Sequence, residues 1–298
     1  MARKKLKENR YGGRAKDATL SLPATYPQLF SFTYKSNFLL VLKSSIALSL
    51  LALPFLVSLY IRARVVSGIT ATSSEEEVAR NIMSFQGWYG FVILLAFCVF
   101  ATGLIGALNV YNRHIRNEGV VFLRDFLGGI RKNFGGAFGV TLLYFGVLAV
   151  LNFILNTFSF RSDIPYYAML LVLFIIFSAI VYMAWERAIM IVLVYRCGFA
   201  QLIKSSFLML FSKLPLCLLD LLATAGPFLI AWIIGFAPMV YAVGLAYVAI
   251  GFGNGALLIS LFNCHIFDET VNKTQFPEAY RKGLFAGGET EEDGGFEG

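Results

Sequence analysis

Four ionisable residues lie inside long apolar stretches of this chain: Lys43, Glu186, Arg187 and Asp220. The amide Asn254 sits at a similar level. Charge in hydrocarbon is costly, so such residues face protein or water and mark ion pairs, polar cavities or proton relays. Two chemistries are open to this set. One is a polar cavity or proton path that opens to one membrane face. The other is interhelical ion pairing that fixes helix register, with Lys43 free to snorkel toward the headgroups. The second is favoured, because a proton-coupled transporter usually carries a carboxylate nearer the midplane and none occurs there.

The elements that must position these residues are six apolar runs, at 38–61, 91–110, 137–158, 167–194, 214–234 and 239–262. A bilayer core about 30 Å thick is crossed by roughly 20 helical residues, so each run predicts a transmembrane helix. Composition agrees. The 298 residues are 58% hydrophobic and 14% charged, with a mean hydropathy of +0.70, whereas soluble domains carry about 25% charged residues. The expected fold is all-α: a polytopic membrane protein of six transmembrane helices. Its parts are a basic N-terminal segment at 1–37, a transmembrane domain at 38–262 and a tail at 263–298. The glycine- and acid-rich end of that tail predicts disorder. The first run exceeds the ~7–15-residue apolar core of a signal peptide and reads as a retained span.

Lysine and arginine alternate between the two sides of these runs. Nineteen fall on the side of the chain ends and four on the other, leaving Lys43 and Arg187 inside spans. The positive-inside rule then predicts both termini in the cytoplasm and a multi-pass protein of the cell membrane. The outer connections are short, with no room for a receptor or catalytic domain. On this topology Lys43, Glu186, Arg187, Asp220 and Asn254 share one level, roughly 8–12 Å below the cytoplasmic surface at ~1.5 Å per residue. The sequon at Asn272 falls on the cytoplasmic side, where glycosylation is not expected.

Several function classes lose support. The net charge of +7 hugs the span ends, where it orients helices and meets anionic headgroups, so membrane lipids are expected partners and nucleic acid is not. Cys98, Cys197, Cys217 and Cys264 form no CxxC pair and predict neither a disulfide framework nor a zinc site. His114 and His265 stand without further ligands. No phosphate-binding loop, nucleotide fingerprint, metalloprotease motif or nucleophile elbow occurs. No catalytic residue, cofactor or metal is expected, and the chain does not read as an enzyme.

Small residues recur at Gly103 and Gly106 and at Gly244, Gly251 and Gly255, the last two forming a GxxxG pair. Such pairs let backbones approach closely, and internal packing is the expected use. Pro227 and Pro238 are expected to shape the fifth span and its exit turn. In the connection at 117–136, Phe122, Phe126, Ile130 and Phe134 recur at helical spacing, with Leu123 and Leu127 beside them. Residues 201–213 repeat the pattern with Leu202, Ser206, Met209 and Leu210. Both segments predict amphipathic helices in the membrane interface, serving as connectors or as docking helices for a cytoplasmic partner.

The stretch Gly103-Leu104-Ile105-Gly106-Ala107-Leu108, then Tyr111 and Arg113, Phe122-Leu123-Arg124-Asp125-Phe126 and Arg131-Lys132-Asn133-Phe134, resembles the central region of the YesL-like family of bacterial integral membrane proteins. Asn37-Phe38-Leu39-Leu40, Leu53 and Pro54, and later Leu202, Ser205, Ser206, Phe211, Leu214 and Pro215, are similar too. The likeness covers about residues 28–262. The chain departs from it in a longer basic N-terminus, a longer outer loop, and Leu104 or Ile105 where the family usually has Pro. The resemblance implies an accessory component of a carbohydrate-uptake or other envelope system, with ABC-type sugar importer components or other membrane proteins as partners. It carries over no catalytic residue. The alternative is a transporter or permease subunit with a polar site in the cytoplasmic leaflet. A variant is the membrane subunit of an ATP-driven importer, whose ATPase-docking loop carries Glu-Ala-Ala and a following Gly; the 198–215 loop ends in Leu-Pro and lacks the Glu-Ala-Ala start.

Overall fold

A computed structural model describes residues 23–72, 75–159, 167–195, 197–234 and 237–284. The N-terminal residues up to 22 and the acidic end from 285 lie outside the described residues, as do Arg161, Arg196 and Gly235. The described residues form helices and no strand. In chain order these are α1 (Tyr26–Thr72), α2 (Glu75–Ile115), α3 (Phe122–Ser159), α4 (Tyr167–Val194), α5 (Phe199–Ser212), α6 (Leu214–Ile234), α7 (Ala237–Ala246) and α8 (Phe252–Phe267). Five stretches are long and apolar enough to cross a membrane, and the bent pair α5–α6 can supply a sixth. The chain is thus an all-α, multi-pass membrane protein. Large apolar side chains such as Leu50, Phe91, Met169, Ile175 and Leu222 stay exposed on the helix surfaces, as a lipid-facing belt requires.

The helices outrun the apolar segments that predicted them. α1 continues to Thr72 and α2 begins at Glu75, so the first connection is mostly helix. Backbone polar groups pair within each helix and need no sheet or loop partner. At the other end α1 begins at Tyr26, twelve residues before the first apolar run, with a break at Asn37 (φ −136°, ψ 35°). Residues 26–36 are therefore a separate helical arm within the segment read as a basic extension. The amphipathic segment predicted at 117–136 is no separate helix. From Phe122 it runs unbroken into the third span as α3, because Gly128, Gly129, Gly135 and Gly136 do not stop a helix held by its neighbours. The second predicted amphipathic helix is α5, which turns 95° into α6. It buries Leu202, Ser206, Met209 and Leu210, the four residues its periodicity singled out.

The core lies between α2, α3, α4 and α8. Trp185 is nearly fully buried there, against Phe97, Phe145 and Tyr182 at ring distances of 5.5, 5.1 and 5.7 Å. Its indole N–H donates to Thr141 Oγ1 at 3.0 Å. α8 crosses α1 at Gly253, where a Cβ would lie 2.2 Å from the Val41 carbonyl oxygen and 2.9 Å from the Ser45 nitrogen. Only a glycine permits that approach. Gly103 and Gly106 likewise meet Leu51 and Ile130. The GxxxG pair is not used so: Gly255 has nothing within 4 Å, and Gly251 faces its own Tyr247. Between α7 and α8 the helix widens into a π turn at Tyr247–Gly251. Its loosened carbonyls are met by α1 serines. Ser49 donates to Val248 O at 2.9 Å, and Ser45 is 3.2 Å from the same oxygen.

Candidate functional site

The intramembrane charges meet where α4, α6 and α8 converge. α4 presents Glu186 and Arg187 about two turns before its end. α6 presents Asp220 near its start. The Arg187 guanidinium pairs with Asp220 through Nη2, and the same nitrogen lies 3.4 Å from Glu186 Oε2. Its Nε donates to Asn263 Oδ1 on α8 at 2.8 Å. The Asn263 amide in turn donates to the Ile259 carbonyl at 2.7 Å, which fixes which end of the amide faces the guanidinium. Tyr182 lies one turn before Glu186 on α4. Arg187 and Asp220 are wholly buried and Glu186 is 1% exposed.

The sequence placed five residues in this group, and the structure joins three of them. Lys43 points outward from α1 and makes no ion pair among the described residues, as a snorkelling lysine does. Asn254 accepts a hydrogen bond from Tyr34 at 2.8 Å and stands apart from Arg187. Asn263 was missed because the hydropathy of the last run ends at 262, although α8 continues to Phe267 with unbroken periodicity. An isolated guanidinium in an apolar interior is prohibitive, but one held by carboxylates and an amide is tolerated. The arrangement ties three helices at one level. No access path follows from side chains so fully enclosed.

Three atoms of the cluster, Glu186 Oε1, Arg187 Nη1 and Asp220 Oδ1, have no hydrogen-bond partner among the described residues. Elsewhere Gln86 Oε1 is also buried and unpaired. It borders an apolar cavity of about 280 Å³ between α1, α2, α3 and α4, with Arg62 at its edge.

A second polar cluster joins the chain's two described ends. Asp268, beyond α8, accepts from Tyr26 Oη at 2.6 Å, from the Arg281 backbone N–H at 2.9 Å and from Asn272 Nδ2 at 2.7 Å. Tyr195 Oη donates to Asn272 Oδ1 at 2.6 Å. Burial pushes the Tyr195 phenol up from its ordinary range, so it remains a donor. Tyr26 also stacks on His265 at 5.2 Å. Among the described residues no three His, Cys, Asp or Glu side chains form a metal-binding group.

No protein-family model matches this chain, and neither a curated protein nor a solved structure matches it.

Proposed function

We propose that this protein is an accessory or structural component of a bacterial envelope or carbohydrate-uptake system, held in the cell membrane with both termini in the cytoplasm. The observation that carries the reading is the enclosure of Arg187, Glu186 and Asp220. Polar residues committed to helix contacts leave the surface as the working part of the molecule. The 95° elbow between α5 and α6 supports this, since α5 keeps Phe199, Leu208 and Phe211 uncovered. The 19-to-4 charge split supports the orientation. The resemblance to YesL-like proteins supports the association with sugar uptake. A transporter reading would draw on the cavity bordered by Gln86 and Arg62, not on the buried cluster.

Gentle solubilisation followed by mass spectrometry of copurifying proteins tests the proposal. An importer ATPase, permease or solute-binding protein in stoichiometric amount is the expected result. Recovery of the chain alone under conditions that preserve known importers would count against it. Substrate uptake by the purified chain in vesicles would favour the transporter.

A further inference from the structure

At the basic end of the bundle, a cleft of about 620 Å³ opens between the end of α2, the start of α3 and the end of α4. Its polar lining includes Asn109, Asn112, Arg113, Arg116, Arg124 and Lys132. Two acids share the cleft, and both are already neutralised. Asp125 takes Arg113 at 2.5 Å and Arg124 at 3.5 Å, and its second oxygen accepts the Val121 N–H at 2.7 Å. Glu118 takes Arg113 at 3.4 Å and Lys282 at 3.3 Å. Arg116 and Lys132 have no carboxylate partner among the described residues. The lining therefore keeps two uncompensated cations around a space far larger than one water's ~30 Å³.

What lies beside the cleft selects the ligand. α3 starts with Leu123, Leu127 and Phe134 exposed, and Leu193 and Val194 of α4 form part of the cleft wall. Cations at a span end next to uncovered apolar side chains match a molecule with an anionic head and an apolar tail. Guanidinium and ammonium groups recognise phosphoryl oxygens with charge-assisted hydrogen bonds. We propose that this cleft holds the phosphoryl headgroup of an anionic membrane lipid, bound by Arg116 and Lys132, with its acyl chains along the exposed face of α3. The site depends on the chain lying in a membrane and not on its role in uptake or on which side faces the cytoplasm.

Native mass spectrometry of the full chain in mild detergent tests this, titrated with phosphatidylglycerol, phosphatidylcholine and glycerol 1-phosphate. Phosphatidylglycerol should bind at least tenfold more tightly than phosphatidylcholine. Arg116→Gln with Lys132→Gln should weaken it by about 25-fold, roughly fivefold per cation. Lys204→Gln with Lys273→Gln removes equal charge from exposed positions near the same end and should leave affinity unchanged. Arg116→Lys with Lys132→Arg keeps the charge and should retain most binding, which guards against a fold defect in the neutral pair. Unaltered affinity in the Arg116/Lys132 variant, or equal loss in the Lys204/Lys273 control, would overturn the site. Glycerol 1-phosphate binding as tightly as the lipid would overturn the lipid assignment in favour of a soluble phosphoryl anion.

Discussion

Arg187 faces two carboxyls with one guanidinium, and that imbalance makes the three residues unequal. Removing Arg187 or Asp220 leaves a buried charge without its main partner, which costs about 3–5 kcal/mol. Removing the Glu186 charge leaves a one-to-one pair. Arg187→Gln and Asp220→Asn should each lower thermal stability sharply in detergent, while Glu186→Gln should stay within about 1 kcal/mol of the parent. The double variant Arg187→Gln/Asp220→Asn should regain much of the loss, as read by fluorescence-detected size exclusion and melting. Lys43→Gln should change little. The sequence brought Glu186, Arg187 and Asp220 to one level, because depth follows from counting residues. It misjudged Lys43 and Asn254, because α8 outruns its apolar run: Arg187 meets α8 at Asn263, nine residues beyond Asn254 and so about 13 Å further along the helix, while α1 passes α8 at Gly253 beside Val41 and Ser45.

At the scale of elements, α1 and α8 are joined through one glycine and a π turn. Gly253→Ala would drive a Cβ into the Val41 and Ser45 backbone and should cost about 1–3 kcal/mol, or shift α8 away from α1. Gly255→Ala meets open space and should be neutral or stabilise by up to about 1 kcal/mol. Melting temperatures of the two variants should therefore separate, and equal effects would refute the assignment of the seam. The GxxxG spacing was visible in the sequence, but it named the wrong glycine. A π turn adds a residue to one turn, which rotates everything after Gly251 relative to the pattern read as regular α-helix. The α5 amphipathic pattern was legible because its buried stripe is short and regular. The one before α3 was legible as a face but not as a helix boundary, since an unbroken helix carries no stop signal at 136.

For the molecule as a whole, a polytopic all-α fold of five or six membrane-crossing helices was evident from hydropathy alone. The helical arm at 26–36 and the fold of residues 268–284 were not, because they rest on contacts between distant residues such as Tyr26 and Asp268. Orientation is testable on the intact chain. With native cysteines replaced, a cysteine at Glu278 should react with a membrane-impermeant maleimide only after cells are opened, and one at Arg64 should react in intact cells. The reverse pattern would invert the topology. Asp268→Ala removes an acceptor shared by Tyr26, Asn272 and Arg281 and should destabilise more than Tyr26→Phe, which removes one hydrogen bond of about 1 kcal/mol. That clasp has a further consequence. Arg281 Nη2 reaches the Ala24 carbonyl at 3.3 Å, so the polypeptide closes on itself as a loop already joined in space. A circular permutant that links these neighbours covalently and opens between α4 and α5 should insert, fold and melt much like the parent.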